Sequence, residues 1–313
     1  MQIAVIDIGT NTFHLLVSHS EYVGVVDHVE SYKVPVKLGE NGITKGMISP
    51  EPFKRGIEAV KYFKEIIISK HIDEIHAFAT SAVRRASNAT EFIEEVKKET
   101  GIKIEVISGE KEAGYIYYGV HQALDLGEKT SLIMDIGGGS VEFILCSAKE
   151  IFWKGSFDIG AAILLEMFKP NDPVTAEERN KMEIYISEIL NPLFEAFKKF
   201  PAEQLIGSSG SFDTLADVVA NDFYFPEILE GKTEFTFNYK EMKSVIDKII
   251  NSTHAQREQM KGIAAMRIDM IVVGCILIDF IIAKFNLKCI RLSSYALKEG
   301  VLWCVMKQGK ISV

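Results

Sequence analysis

Two aspartates close apolar runs, each followed by a glycine turn and a hydroxyl residue, a pattern suited to holding phosphate beside a divalent cation. Residues 3–18 read IAVIDIGTNTFHLLVS, and residues 131–148 read SLIMDIGGGSVEFILCSA. Asp7 corresponds to Asp135, Gly9 to Gly137 and Thr12 to Ser140. A glycine turn exposes successive backbone N–H groups and lets phosphate approach, because no Cβ stands in the way. Thr12 and Ser140 add hydroxyls, and Asn11 adds an amide. An aspartate at a strand end can hold Mg²⁺ directly or through water. One such turn is common in structural hairpins. Two copies with the same aspartate suggest two jaws closing on one phosphate chain.

Three further stretches could serve that chemistry, and each has a plainer reading. Arg84 and Arg85 follow an expected strand over residues 74–79, and ligands collect at the C-terminal ends of such strands. A guanidinium suits phosphate through bidentate, permanently charged donation; an adjacent arginine pair, taken alone, reads as solvated surface. Glu112 falls in the first helical turn after Ile107-Ser108-Gly109, where with Glu110 it reads as a complement to the helix dipole. Gly207-Ser208-Ser209-Gly210-Ser211 joins a strand to a helix. It is either an anion or nucleotide seat at a helix N-terminus or a simple N-cap by Ser209 or Ser211.

Other phosphate and metal motifs are absent. There is no P-loop and no dinucleotide fingerprint, and Gly137-Gly138-Gly139 has no lysine after it. The 7 histidines show no metal-binding spacing and read as surface or packed residues. The 4 cysteines, Cys146, Cys275, Cys289 and Cys304, lack CxxC spacing and read as buried free thiols of a reducing compartment.

The elements that must position these residues form a repeated series. Each hairpin leads to a third strand, at about residues 23–34 in the first half and 150–155 in the second. In the first half there follow a helix over 52–69, a strand over 74–79 and a helix opened by a capping-box-like pair, Asn88 and Glu91, and running through Lys98. A strand over 103–107 and a helix over 109–124 complete the unit. The second half continues with a long helix over 176–200, a strand over 204–207 and a helix over 212–221. Helices over 239–251 and 256–285, a strand over 287–292 and a last helix over 295–306 close the chain. The matched order makes this a duplicated α/β protein.

Bulk properties narrow the function. The chain has 313 residues, 47% hydrophobic and 25% charged, which suits two lobes better than one core. A net charge of -8 argues against DNA, RNA or an anionic membrane as partner, although a local cationic cluster can still bind a small anion. No signal peptide is evident at the N-terminus, and residues 271–283, short and interrupted by Asp279, read as a buried helix. A cytoplasmic protein is expected.

Taken together, the sequence resembles the exopolyphosphatase / guanosine pentaphosphate phosphohydrolase (Ppx/GppA) family, in the actin, sugar-kinase and heat-shock-ATPase superfamily. The resemblance rests on residues 7–16 (DIGTNTFHLL), 79–84 (ATSAVR), 107–113 (ISGEKEA), 135–142 (DIGGGSVE) and 207–210 (GSSG), with Arg267-Ile268-Asp269 and residues 297–301 (LKEGV) behind them. These motifs run in the family's order over nearly the whole chain.

The resemblance implies two ribonuclease-H-like lobes with a cleft between them, residues 1–124 and 125–313, with the last helix (295–313) packing back on the first. It makes Glu112 the general base that activates water and Arg84 the clamp on the terminal phosphate. Asn11, Thr12, Gly138, Gly139, Ser140, Ser209 and Gly210 become phosphate-binding residues. Asp135 and Glu142 become the Mg²⁺ shell, with Asp7 a further metal candidate; alone, Glu142 reads as an outward residue of an alternating strand. The implied reaction is Mg²⁺-assisted release of terminal phosphate from polyphosphate or guanosine pentaphosphate, which the sequence does not distinguish. A homodimer is the expected assembly.

The chain departs from the family's pattern in a few places. Thr10 and Thr12 stand where serines are usual, Lys111 where a second carboxylate is usual, and Gly114 where a basic residue is usual. It matches the short members, without further helical domains. Two alternatives accompany the hydrolase: a sensor that binds guanosine tetraphosphate without cleaving it, and an ATP-dependent kinase using residues 207–211.

Overall fold

The computed structural model describes residues 2–19 and 28–308. By its internal contacts the chain divides into one unit of Met1–Gly119 with Ala296–Val313 and a second of Val120–Tyr295.

The first unit contains β1 (Gln2–Ile8), β2 (Thr12–His19), β3 (His28–Pro35), α1 (Pro50–Ser69), β4 (Glu74–Ala79), α2 (Ser81–Arg85), α3 (Ala89–Thr100), β5 (Ile104–Val106) and α4 (Gly109–Ala123), which runs on into the second. The second unit continues with β6 (Ser131–Ile136), β7 (Val141–Cys146), β8 (Ile151–Phe157), α5 (Ala161–Phe168), α6 (Ala176–Ile189), α7 (Asn191–Lys199), β9 (Gln204–Ser208), α8 (Ser209–Phe223), β10 (Glu234–Phe237), α9 (Tyr239–Ile250), α10 (His254–Glu258), α11 (Met270–Phe285) and β11 (Cys289–Ser293). The final helix, α12 (Leu297–Gln308), belongs to the first unit and packs on β1 and β2.

The two sheets repeat one topology. The first has the order β3-β2-β1-β4-β5, and the second β8-β7-β6-β9-β11 with β10 added at the edge. In each, three antiparallel strands lead into parallel ones through β1–β4 and β6–β9. Asp7 and Asp135 occupy the last position but one of β1 and β6, so duplication puts the two carboxylates at equivalent sheet positions.

Burial explains the strand sequences. β6 and β7 are buried at every residue, which is why they read as continuous apolar runs with no alternation. Helices on both faces supply the cover: Phe63, Ile67 and Phe92 pack on Ala4, Ile6 and Ile8 in one core, and α8, α9 and α11 build the other. α11 is apolar around most of its circumference because it lies inside that core. Its Asp279, 5% exposed, is held by Arg179 at 2.6 Å and Lys243 at 2.6 Å. Among the described residues no helix is long and apolar enough to cross a membrane.

Several elements differ from the sequence expectation. The helix expected over 176–200 breaks at Leu190, because Pro192 opens α7 and supplies no N–H to an uninterrupted helix. The helix expected over 256–285 is two helices, α10 and α11, with a 3₁₀ turn at Ala265–Arg267 between them. α5 and β10 were not expected at all. Asn88 precedes α3 but does not cap it; its amide accepts from Ile48 N and donates to Ile48 O, both at 2.9 Å. A side chain with donor and acceptor side by side satisfies a whole peptide group elsewhere, and that long-range pairing wins over the local cap. Cys146, Cys275 and Cys304 are buried free thiols, but Cys289, at the start of β11, is exposed. The part of the third strand expected over 23–27 lies outside the described residues.

Candidate active site

The candidate residues form two groups, one in each unit. In the second unit, Asp135 on β6 stands directly opposite Glu142 on β7, flanked in register by Ser208 on β9 and Ser156 on β8. These four side chains form one row on one sheet face. Ser208 Oγ and Ser209 Oγ donate to Asp135 Oδ2 at 2.6 and 2.7 Å, and Ser156 Oγ donates to Glu142 Oε1 at 2.6 Å. The carboxylates are 5% and 1% exposed, so Glu142 is no outward strand residue.

Two like charges opposed across a buried strand pair destabilise each other unless a cation joins them. Hard carboxylate oxygens in this arrangement suit a divalent cation. One or two carboxylates suffice for Mg²⁺, which fills its remaining positions with water and substrate phosphate. The residues present therefore fit such an ion.

The turn beside this row has its peptide planes set by α5. N–H groups at the start of α5 donate to the loop: Ala161 to Gly137 O at 3.0 Å, Ala162 to Gly138 O at 2.9 Å. Because a trans peptide points its C=O and N–H in opposite directions, the N–H groups of Gly138 and Gly139 are turned away from the helix. Gly160 makes this seat possible; a Cβ there would stand 2.4 Å from Gly138 C.

Beside it, Ser209 adopts φ 66°, and neither Ser209 nor Ser211 caps α8. Ser209 is committed to Asp135, while Ser211 is buried. The guanidinium of Arg267 lies over Gly210, where a Cβ would meet Arg267 Nη2 at 1.8 Å. Burial pulls that guanidinium below its ordinary pKa, against the opposing field of Asp213.

In the first unit the turn after β1 is held in a parallel way. Lys37 N donates to Asn11 O at 2.8 Å and Gly39 N to Thr10 O at 3.1 Å, which turns the next peptide N–H groups away from that segment. Thr12 Oγ1 is buried with no hydrogen-bond partner among the described residues, an acceptor and donor in need of a ligand. Asp7 stands in register with His14, not with a second carboxylate, so its row lacks the carboxylate pair of the second unit.

Arg84 and Glu112 meet within the first unit. Arg84 lies in the last turn of α2, after β4; Glu112 lies in the first turn of α4, which Ser108 opens by accepting from Glu112 N at 2.9 Å and, through Oγ, from Lys111 N at 3.2 Å. Arg84 Nη1 donates to Glu112 Oε2 at 2.8 Å and to Ile107 O at 3.1 Å. Glu112 is 7% exposed, so it does more than complement a helix dipole, and Arg84 is no solvated surface residue. Lys111 is turned aside onto Glu105 at 2.8 Å.

The sequence assigns no role to Gly160 or Ser156, and places Ser208 and Arg267 only within the motifs at 207–211 and 267–269. The small-residue run Gly160-Ala161-Ala162 is the available signal for the loop seat. Among the described residues no group of three or more His, Cys, Asp or Glu side chains forms a metal cage.

A duplicated α/β fold with a glycine turn at each Asp-bearing hairpin, a buried carboxylate pair and an arginine-held glutamate defines a phosphate-handling protein of actin-like fold. The family model described as the Ppx/GppA phosphatase family matches residues 16–308, and the chain belongs to that family. Among solved structures it resembles an exopolyphosphatase from Cytophaga hutchinsonii, with 38% identity, TM-score 0.95 and 99% of each chain covered. It also resembles the Aquifex aeolicus family member, with 28% identity, TM-score 0.81 and coverage of 100% of this chain and 99% of that one. Exopolyphosphatase 1 of Mycobacterium tuberculosis is 26% identical over 303 residues, 96% of this chain and 87% of its own. Membership makes the protein a hydrolase acting on phosphoanhydride bonds.

Proposed function

We propose that the protein removes terminal phosphate from inorganic polyphosphate with Mg²⁺, and that guanosine pentaphosphate, with the same terminal bond, is a second substrate. The observation that carries this reading is the buried Glu112 carboxylate held at 2.8 Å by Arg84. Phosphoryl transfer asks mainly for a positioned nucleophile and for neutralisation of charge on the transferred group. Glu112 orients water and accepts its proton, while Arg84 shares its guanidinium between Glu112 and a phosphoryl oxygen. The N–H groups of Gly138 and Gly139 and the hydroxyls of Thr12 and Ser140 bind non-bridging oxygens. Ser209 orients Asp135, and Arg267 over Gly210 adds a cation for the rest of the chain. Mg²⁺, when bound by Asp135 and Glu142, supplies further charge neutralisation.

Product analysis tests the reaction class. Incubated with Mg²⁺ and polyphosphate of defined length, the protein is expected to release orthophosphate and shorten the chain from its end. Transfer of phosphate to ADP, or tight guanosine tetraphosphate binding without release from either substrate, would overturn the reading.

A further inference from the structure

The segment that carries Arg267 to Gly210 is tied down by one buried side chain away from the carboxylate row. Residues 251–269 connect α9 to α11, and Arg257, on α10 within them, is 4% exposed. Its Nη1 donates to Ser252 O at the start of the segment and its Nε to Ile268 O at the end, the latter at 2.8 Å. Its Nη2 donates to Asp172 Oδ1 at 2.8 Å. Asp172 lies on the separate connection between α5 and α6, and its Oδ2 accepts the His254 N–H at 2.5 Å. His254 in turn holds Asp269, two residues from Arg267, through Nδ1 at 2.7 Å.

The arrangement closes on itself. A guanidinium buried this deeply is tolerated only while its donors and its charge are matched. Its acceptors come from both ends of the segment and from one fixed carboxylate outside it. Removing that carboxylate leaves a buried cation and frees the His254 N–H as well. The path of residues 251–269 then has no external ionic anchor at this point.

We infer that Asp172 and Arg257 are positioning residues for the candidate site: they fix residues 251–269 so that Arg267 stays over Gly210, and through it they set affinity for the substrate's phosphate chain. This rests on the hydrolase reading above. The clamp's contacts, to Ser252, Ile268 and the His254 N–H, all lie within the second unit and lead to Arg267, which is proposed to bind the chain and not to activate water. Loss of the clamp therefore weakens binding with little effect on the chemical step.

The test compares the full-length protein with Asp172→Asn, Asp172→Glu, Arg267→Ala and the Asp172→Asn/Arg267→Ala double variant. Amide hydrogen exchange over residues 259–268 reads the segment itself, and steady-state kinetics on polyphosphate read its consequence. Asp172→Asn is expected to speed exchange there and to raise KM about tenfold, the scale of a lost hydrogen bond to a charged group, with kcat nearly unchanged. Asp172→Glu should restore part of both, and the double variant should bind no more weakly than Arg267→Ala, because both act through one group. Unchanged exchange, or effects of Asp172→Asn and Arg267→Ala that multiply, would overturn the inference. So would a fall in kcat at constant KM, the mark of lost folded protein. A native protein that releases no phosphate would overturn the hydrolase reading instead, with the exchange comparison still deciding whether Asp172 anchors the segment.

Discussion

Asp135 and Glu142 carry the sharpest chemical contrast between the duplicated units. Both rows begin with an aspartate one residue from the end of the first strand, but the cross-strand neighbour is Glu142 in one and His14 in the other. A buried carboxylate pair is a liability without a cation and a binding site with one. Mg²⁺ should accordingly raise the thermal midpoint of the native protein, by the equivalent of about 2.7 kcal/mol when the ion is at a hundred times its Kd. Asp135→Asn should abolish that increment. An undiminished Mg²⁺ increment in the variant, followed by calorimetry, would place the ion elsewhere. The sequence made Asp135 legible through its hairpin, and the resemblance named Glu142 and Ser209, but not the contacts that join them to it. Ser208 and Ser209 lie 73 and 74 residues away along the chain, and only the β6–β9 pairing brings them together. The pairing of Arg84 with Glu112, 28 residues apart, was equally out of reach of local reading; the family resemblance gave each a separate role and no contact between them.

At the scale of elements, the hairpins were the most legible features, because apolar runs around a glycine turn are a local signal. Boundaries failed where tertiary contacts outweigh local ones, as at Asn88. α5 was missed because residues 161–168 read AAILLEMF, a run without a polar face or an N-cap side chain. The helix expected over 256–285 is interrupted between Glu258 and Met270; the path there depends on Arg257, whose acceptors lie far apart in sequence. A pH effect belongs to the 251–269 segment. Asp269, which accepts from His254 Nδ1, raises the His254 pKa above its ordinary value, with burial opposing, Glu258 adding to the rise and Arg257 opposing it. A raised folded-state pKa gives stability that is fully present below the unfolded value, about 6.5, and is lost as pH rises through the folded value. The difference in thermal midpoint between the native protein and His254→Gln should therefore be largest near pH 5.5 to 6 and fade at alkaline pH. A difference that grows with pH would show that protonated His254 does not hold the segment.

For the molecule as a whole, a surface of net charge -8 and an anionic substrate are compatible because the cations that matter are local. Arg84 and Arg267 are each seated in a defined niche, one against Glu112 and one over Gly210. Duplication gives each unit an aspartate-bearing turn whose carbonyls are occupied by neighbouring backbone, and divergence then gives one unit the carboxylate pair and the other the Arg84–Glu112 pair. The central claim is that Glu112 activates the attacking water. The most direct measurement is single-turnover phosphate release from polyphosphate by Glu112→Gln beside the native protein, with chain binding measured on the same samples. The account predicts a rate lower by roughly a hundredfold to ten-thousandfold, the usual worth of a general base, with the dissociation constant within about threefold of native. A variant that releases phosphate at close to the native rate would contradict it.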